Sequence, residues 1–312
     1  MNKINSVLGK IDIDSLGYTL SHEHVLTASA GIIHSYPKLI NKDKLIDSAI
    51  KEFKKLKKEG IDSIIDVTTM DLGRDVDLLQ KVSEASNVNI ICATGTWRDI
   101  PRSFWYKSTK EISELYIDEI IEGIDSTNIK AGIIKVANDV EGISKEGDTI
   151  LRSASIASKE TGVPISTHSY AKGQIGNEQL KIFKNEGLDL NKVYIGHSND
   201  STDIDYLENI IQQGAWLGLD RLPGKDPDWN KRLEVTYQLI FKGLEDRIML
   251  SHDWNFESHI SSLSEQERQY QNPDGFLFIN KKFIPKLLSL GVNKKSISKI
   301  MIENPKRFFL EQ

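Results

Sequence analysis

The chain has 312 residues, of which 39% are hydrophobic and 27% charged, and its formal net charge is −5. This is enough chain for one large domain, which we expect to span residues 1–312. The modest charge and the absence of a Lys/Arg cluster interleaved with aromatic residues argue against a nucleic-acid partner. No window approaches eighteen uninterrupted apolar residues, so no membrane partner is expected.

The compartment is predicted from the cysteine content and the first residues. The single cysteine, Cys92, lies in the apolar run NIICATG, where we interpret it as core packing. It can form no intramolecular disulfide, which fits a reducing compartment. The segment MNKINSVLGKID has no apolar stretch followed by a small-residue cleavage site. We therefore expect a cytoplasmic protein.

Eight short apolar runs alternate with amphipathic segments of helical length. The runs are GYTLSH, IDSIIDV, NIICATG, AGIIKVA, VPISTH, KVYIGH, AWLGLD and RIMLSHD. Segments with helical spacing of apolar residues include 45–56, 112–124, 150–157, 204–211 and 233–244. This alternation favours parallel pairing, and eight units favour an α/β fold of the (β/α)8 TIM-barrel type. After the eighth run we expect a polar loop over residues 257–273.

Polar residues end several of these runs, and the strand ends of a closed barrel converge at one mouth. The residues concerned are His22, His24, Lys135, His168, His197 and Asp253. Because His22 and His24 are two residues apart on a strand, both can face one cation while Glu23 faces the other way. Four imidazoles, one lysine and one carboxylate at one pole predict a metal site.

Lys135 is the most informative member of the set. An ammonium inside a barrel, beside imidazoles and cations, would be both desolvated and repelled, which favours the neutral amine. A neutral amine can add carbon dioxide to form a carbamate, whose two oxygens could bridge two metals. His168 and His197 would hold the second ion and Asp253 the first, and a hydroxide shared by the two ions would serve hydrolysis.

Each residue also has a plain structural interpretation. An HxH pair often occurs by chance, a histidine at a strand end is more often a hydrogen-bonded core residue, and Lys135 could pair with a carboxylate. The joint pattern is far more specific than any member. Three histidines remain outside it: we place His252 on the outward face of its strand, and His34 and His259 in loops.

With these residues identified, the chain resembles the phosphotriesterase family of the amidohydrolase superfamily, including its lactonase branch. The resemblance runs from LGYTLSHEHV through AGIIKVA, GVPISTHS, YIGHSND and GLDR to SHDW and NPDGFLFI. It implies a binuclear site, with His22, His24 and Asp253 on the more buried ion, His168 and His197 on the more exposed ion, and a carboxylated Lys135 bridging both. It also implies a homodimer.

The resemblance further implies three catalytic residues and a substrate pocket. Asp200 matches an acidic residue that relays the proton from Asp253. Arg221 stands where the best-known organophosphate-cleaving members have histidine, and since arginine cannot release a proton at neutral pH we expect it to orient Asp200 or the substrate. Trp97 matches a tryptophan of the leaving-group pocket, and we place Trp97, Arg221 and Trp254 in the substrate pocket. Further aromatics in loops after strands are either pocket or cap residues: Trp105, Tyr106, Trp229 and Phe256.

The expected function is hydrolysis of organophosphate triesters, with aryl esters as additional substrates, by a hydroxide bridging two metal ions. Trp97 and the opening loop favour this activity. Arg221 and the short LPGKDPDWNKR loop favour the alternative, a lactonase acting on substrates such as N-acyl-homoserine lactones. A second alternative is a metal-loaded binding protein without catalysis, against which the complete ligand set argues. Zn²⁺ is the default metal, and the N/O ligands would also accept Co²⁺, Mn²⁺ or Fe²⁺.

Overall fold

The structure is a computed structural model that describes residues 3–310, so residues 1, 2, 311 and 312 of the predicted domain lie outside the described part. Its strands are β1 (Lys3–Ser6), β2 (Gly9–Asp12), β3 (Thr19–Thr27), β4 (Ser63–Asp66), β5 (Asn89–Thr96), β6 (Ile133–Ala137), β7 (Ile165–His168), β8 (Val193–Ile195), β9 (Trp216–Leu219), β10 (Ile248–Leu250) and β11 (Asn255–Ser258). The first two form a separate antiparallel hairpin.

The helices follow the strands in alternation. They are α1 (Ile32–Ser35), α2 (Lys42–Lys58), α3 (Val76–Ser86), α4 (Thr109–Ile121), α5 (Lys145–Thr161), α6 (Ile175–Asn185), α7 (Ile204–Gln212), α8 (Trp229–Phe241), α9 (Glu265–Gln271), α10 (Ile284–Ser289), α11 (Lys294–Ser298) and α12 (Asn304–Leu310). None of the helices in residues 3–310 is both long and apolar enough to cross a lipid bilayer.

Strands β3 to β10 form a parallel sheet in chain order, and β11 pairs with the outer side of β3. The sheet curls until the segment after β10 meets β3, where the Asp253 amide donates to the His22 carbonyl at 3.1 Å and the His24 amide to the Trp254 carbonyl at 3.0 Å. All eight predicted strands are present, and the predicted (β/α)8 barrel fold is confirmed.

The alternating direction of side chains along the barrel strands divides the buried apolar residues into two cores. Ile64, Ile90 and Ile134 face the surrounding helices. Ile65, Ile91 and Ile133 point into the barrel, because successive strand residues face opposite sides. The interior below the mouth is filled by these residues and by Tyr194, Trp216, Met249 and Phe308. Lys135 shares the inward register of Ile133, so its side chain rises through this apolar interior toward the mouth.

Helix α2 illustrates why the outer elements form. Asn41 caps its N-terminus by accepting a hydrogen bond from the Lys44 amide at 3.0 Å. Its buried residues recur at helical spacing and are Leu45, Ile46, Ala49, Phe53 and Leu56. The lysines between them are mostly exposed, as expected for the solvated face of an amphipathic helix.

The segment after the eighth predicted strand, residues 257–273, was predicted to be a polar loop, but it is partly regular secondary structure. The end of β11 and helix α9 lie within it. Helix α9 begins with a capping box in which Ser264 and Glu267 bond each other's backbone. Its sequence EQERQYQ has little apolar periodicity, so the helical pattern that marks the other elements was missing.

Cys92 is fully buried on the helix-facing side of β5, as predicted for a packing residue. Burial raises the pKa of its thiol to about 12, and the thiolate is the reactive form. We expect no reaction of the native protein with a chromogenic disulfide reagent over an hour at pH 8, and release of one equivalent after unfolding in guanidinium. Fast reaction of the native protein would contradict this burial.

Candidate metal centre

The barrel brings all six predicted metal ligands to its C-terminal mouth. His22 and His24 lie on β3, Lys135 on β6, and His168 ends β7. His197 and Asp253 follow β8 and β10. They converge because each lies within or directly after a parallel barrel strand, at the level of the mouth to which the carboxyl ends of the strands lead.

His22, His24 and Asp253 form the first cluster. The Asp253 Oδ1 atom lies 3.3 Å from His24 Nε2 and 3.5 Å from His22 Nε2. Burial opposes ionisation of Asp253, but His197, a hydrogen bond with His24 and the Arg221 charge hold its pKa well below the ordinary value. Three donor atoms on one side of the mouth can therefore hold a cation at neutral pH.

Lys135 reaches this cluster from below. Its side chain is 1% exposed, and its Nζ atom lies 3.1 Å from His22 Nε2. Burial lowers its pKa to about 7, so a large share of the amine is neutral at physiological pH. This agrees with the argument from sequence that a lysine here would lose its charge.

His168 and His197 form the second cluster. His168 Nδ1 and His197 Nε2 face each other at 2.9 Å, with ring centroids 4.4 Å apart. Burial lowers the pKa of His168 to about 4 and that of His197 well below its usual value. Neutral imidazoles with a free lone pair are the form that binds metals.

Asp220 is the first of three orienting residues that the sequence analysis missed. It follows β9, is fully buried, and has Oδ2 at 2.9 Å from His22 Nδ1 and Oδ1 at 3.0 Å from His197 Nδ1. It also accepts hydrogen bonds from the Tyr194 hydroxyl at 2.9 Å and the His197 amide at 2.7 Å. Asp220 therefore orients one ring of each cluster, so that the opposite ring nitrogens point into the mouth.

A signal for Asp220 was present, since it ends the seventh apolar run in the way that the predicted ligands end theirs. Two further orienting residues carried no such signal. Thr68 contacts His24 Nδ1 through its hydroxyl at 2.8 Å. Asp139 lies 3.3 Å from His168 Nε2, and its pKa is lowered mainly by that contact. Each imidazole thus has a polar partner on the nitrogen that faces away from the cluster.

Arg221 connects Asp253 with Asp200. Its Nε atom donates to Asp253 Oδ2 at 3.0 Å, and its Nη1 atom to Asp200 Oδ2 at 2.6 Å. The other Asp200 oxygen accepts from Arg232 Nη2 at 2.8 Å. This geometry fits the expected orienting role of Arg221, because its guanidinium is held between two carboxylates.

Two residues of the site have left-handed backbone conformations that side chains rarely adopt. The φ angles are 60° at His197 and 52° at Asp253. Such conformations cost free energy and persist where the surroundings enforce them, often at functional sites. At both positions the chain turns sharply out of a strand, which aims the side chain across the mouth.

Comparison with known proteins agrees with this arrangement. Residues 2–309 match the model of the Phosphotriesterase family. The chain belongs to the phosphotriesterase family. One similar protein is an aryldialkylphosphatase of Saccharolobus solfataricus, which is 39% identical over 310 residues. The alignment covers 97% of this chain and 98% of the relative.

Other relatives carry different names. A phosphotriesterase homology protein of Mycobacterium tuberculosis is 36% identical, and the alignment covers 100% of this chain and 99% of the relative. An N-acetyltaurine hydrolase of Xenopus tropicalis is 27% identical and covers 98% and 97%, respectively. The names of these relatives therefore differ in the activity that they state, aryldialkylphosphatase in one case and N-acetyltaurine hydrolase in the other.

Two groups in residues 3–310 could hold a metal ion, with ligand atoms within 4.8 Å of one another. They are His22, His24 and Asp253, and His22, His197 and Asp220. The first is the predicted set of the buried ion. In the second, Asp220 contacts the Nδ1 sides of both rings, which favours an orienting role over direct ligation.

A cavity of about 740 Å³ opens beside the centre in this member of the phosphotriesterase family. Arg221, Asp253 and Trp254 line it, together with the loop at residues 222–228. Trp97 stands outside that lining, and its ring meets the edge of His168 with centroids 6.0 Å apart. The buried Asp71 holds Trp97 by accepting from its amide at 3.0 Å.

The remaining aromatic candidates separate by environment. Trp229 packs edge-on against Phe278 with centroids 5.7 Å apart, which is cap packing. Phe256 also packs against the outer core. Trp105 and Tyr106 are exposed at the surface, by 49% and 85%.

The histidines outside the predicted site also have defined places. His252 faces away from the clusters, as expected, but it is buried: its Nδ1 atom lies 2.6 Å from Glu23 Oε1, and its Nε2 atom accepts from the Ile279 amide. Glu23 likewise points away from the metal cluster, as predicted. His259 follows β11 in a loop, whereas His34 lies in the short helix α1 rather than in a loop.

Proposed function

We propose that this protein is a metal-dependent hydrolase of organophosphate triesters and aryl esters, contained in one domain over residues 1–312. The observation that carries the proposal is the convergence of two histidine clusters, one of them with Asp253, on a buried lysine whose pKa is lowered to about 7. Among residues 3–310 no carboxylate forms an ion pair with this lysine, and a neutral amine is suited to become an anionic ligand. A structural core would not require this combination.

The donor set fits a binuclear centre. His22, His24 and Asp253 would hold one ion, His168 and His197 the other, and carboxylated Lys135 both. Zn²⁺ is the metal we propose first, because nitrogen and oxygen donors of this kind suit it. When bound, the two ions would polarise the scissile bond and acidify a water molecule.

The protein's own residues would position the reactants and move the proton. The Asp253 carboxylate would accept the proton from the attacking water, and Asp200 would receive it next. Arg221 stays protonated and keeps both carboxylates in place. Trp97 and Trp254 would offer apolar surface to the departing group.

Lactone hydrolysis is the second candidate, favoured by Arg221 at the position after GLD and by the short loop at residues 222–228. An amide substrate is a third, since several relatives are named N-acetyltaurine hydrolase. A carbonyl addition and a phosphoryl transfer both need a polarised bond and an activated water, so one centre can serve each. The expected homodimer stays a prediction.

Steady-state kinetics on four substrate classes tests the proposal. We would compare kcat/KM for a diethyl aryl phosphate, an aryl acetate, lactones of increasing chain length and N-acyl amides. The proposed order requires the triester or the aryl ester to be the best substrate. A lactone or amide preference of about a hundredfold, equivalent to about 2.7 kcal/mol, would reverse it.

Metal removal gives a direct test of the centre. Prolonged dialysis against a chelator should lower kcat/KM for the aryl ester at least about a hundredfold, because polarisation and water activation would be lost together. Zn²⁺ with bicarbonate should restore activity faster than Zn²⁺ in CO₂-free buffer, since the lysine must add carbon dioxide first. Chelator already saturated with Zn²⁺ is the control. Full activity after verified metal removal would contradict the proposal.

A further inference from the structure

The cavity beside the centre lies between the loop at residues 222–228 and helix α9, and half of its lining residues are charged. The acids are Asp200, Asp226, Asp228 and Asp253, and the cations are Arg221, Lys225, Arg232 and Arg268. The cavity joins Asp253, at the candidate metal centre, to Arg268 on α9. A substrate held at the centre would extend into this space.

The acids of the cavity already have partners. Asp200 binds Arg221 and Arg232, and Asp253 binds Arg221. Asp226 forms an ion pair with Lys172 at 2.7 Å, and Asp228 caps helix α8. These pairs satisfy Arg221 and Arg232 as well as the acids.

Arg268 has no carboxylate partner among the described residues, although it is only 8% exposed. Its Nη1 atom donates to the Asn255 carbonyl at 2.6 Å, while the buried Nε atom has no hydrogen-bond partner. The guanidinium stands over the Trp254 ring, 5.9 Å from its centroid. A buried cation without a counter-charge is costly, and an anion is what would offset that cost.

Asn272 adds a second unsatisfied group to the same lining. Its amide nitrogen donates to the Gly275 carbonyl at 3.0 Å, and its buried side-chain oxygen has no partner. Arg268 and Asn272 are held by α9 and by the turn that ends it. The unpaired Asn272 oxygen is an acceptor, so it would take a hydrogen bond from water or from a donor on the ligand, and the donors for an anion come from Arg268.

We propose that Arg268 binds a negatively charged group, a carboxylate or sulfonate, carried by the substrate away from its scissile bond. The inference rests on the proposed function and narrows its substrate class to phosphotriesters and aryl esters that carry such an anionic group. Guanidinium is suited to this role because it offers several donors in a plane that matches such groups. Arg268 would act in binding and specificity, with no part in the chemical step.

The alternative is that Arg268 only fastens α9 to β11 through the Asn255 carbonyl. Arg268→Gln and Arg268→Lys separate the two roles, because glutamine keeps a donor without charge and lysine keeps the charge. Lys184→Gln, at an exposed lysine of α6, is the control for a general change of net charge. A fastening role would change stability and all substrates alike.

The kinetic test uses mono-4-nitrophenyl adipate and suberate beside their neutral methyl esters. The wild-type protein should prefer the anionic member of each pair at least about tenfold in kcat/KM, equivalent to about 1.4 kcal/mol. This preference should fall about tenfold in Arg268→Gln, mainly through KM, and remain within about threefold in Arg268→Lys and Lys184→Gln. Absence of any preference in the wild type would overturn the proposal without any variant.

A binding measurement separates failure of this inference from failure of the proposed function. Calorimetric titration with 1-butanesulfonate, a poor metal ligand, needs no turnover. Arg268→Gln should raise the dissociation constant of 1-butanesulfonate at least about tenfold, and Arg268→Lys should raise it much less. If no ester is hydrolysed, the proposed function is refuted, and this titration still tests whether Arg268 binds an anion. Undetectable binding to the wild type, or equal binding to Arg268→Gln, would overturn the anion site.

Discussion

Replacing Lys135 by methionine is expected to lower kcat/KM for the aryl ester at least about a thousandfold, equivalent to about 4 kcal/mol. The proposed carbamate is the shared ligand of both ions, so its loss should remove bound metal as well as activity. Methionine has a similar length and no charge, and it suits an environment in which the native amine is buried with a pKa of about 7. The metal-free variant should therefore be folded and at least as stable as metal-free wild type.

Three measurements check this result: kinetics, metal content by elemental analysis, and ¹³C NMR after incubation with labelled bicarbonate. A carbamate resonance should appear in the wild type and be absent in Lys135→Met. Lys192→Met provides the control, because Lys192 is also buried but directly precedes β8, at the opposite end of the barrel. It should alter stability and leave metal content unchanged. Full metal content in Lys135→Met would refute the bridging role.

Asp220→Asn should weaken the binding of both ions and raise each dissociation constant by about 10- to 100-fold. The carboxylate accepts from His197 and Tyr194 and lies beside His22, and although burial opposes its ionisation, the two histidines hold its pKa well below the usual value. An amide has one acceptor oxygen, so it cannot orient both rings at once. We expect kcat/KM to fall by at least the same factor.

Asp139→Asn is the matched comparison, because Asp139 contacts His168 and neither His22 nor His197. Asp139→Asn should lower the affinity for the ion bound by His168 and leave the affinity for the other ion unchanged. Competition with a metal-binding dye would give the two dissociation constants for each variant, and thermal unfolding would show that both remain folded. Equal loss of both ions from Asp139→Asn and Asp220→Asn would contradict the assignment of Asp220 to both clusters.

The fold was predictable from sequence because its signals are local. Most barrel strands are short apolar runs buried on both faces, and glycines such as Gly162 mark the ends of helices between them. Runs such as Ile133–Ala137 need no long-range information to be recognised. The hairpin β1–β2, strand β11 and helix α9 were not identified, since they are short or half-exposed and lack a clear apolar period.

The candidate ligands were predictable for a related reason. In a parallel barrel the carboxyl end of every strand lies at one mouth, so a residue's place in its own strand already gives its place in the site. His22, Lys135 and His168 could be grouped in this way before any contact was known. Asp139 and Thr68 could not, because they stand in loops whose path depends on packing.

The sequence by itself determined the strands, their order, the inward register of Lys135 and the set of polar residues at the mouth, since these follow from apolar periodicity and chain direction. Only the tertiary structure decided which carboxylate orients which imidazole, that Arg221 joins Asp253 to Asp200, and that Arg268 is buried with no carboxylate partner in the described part of the chain. Those contacts join residues from different loops, at distances of about 3 Å that hydrogen bonds require. Their formation depends on how the whole barrel closes, which no local pattern encodes.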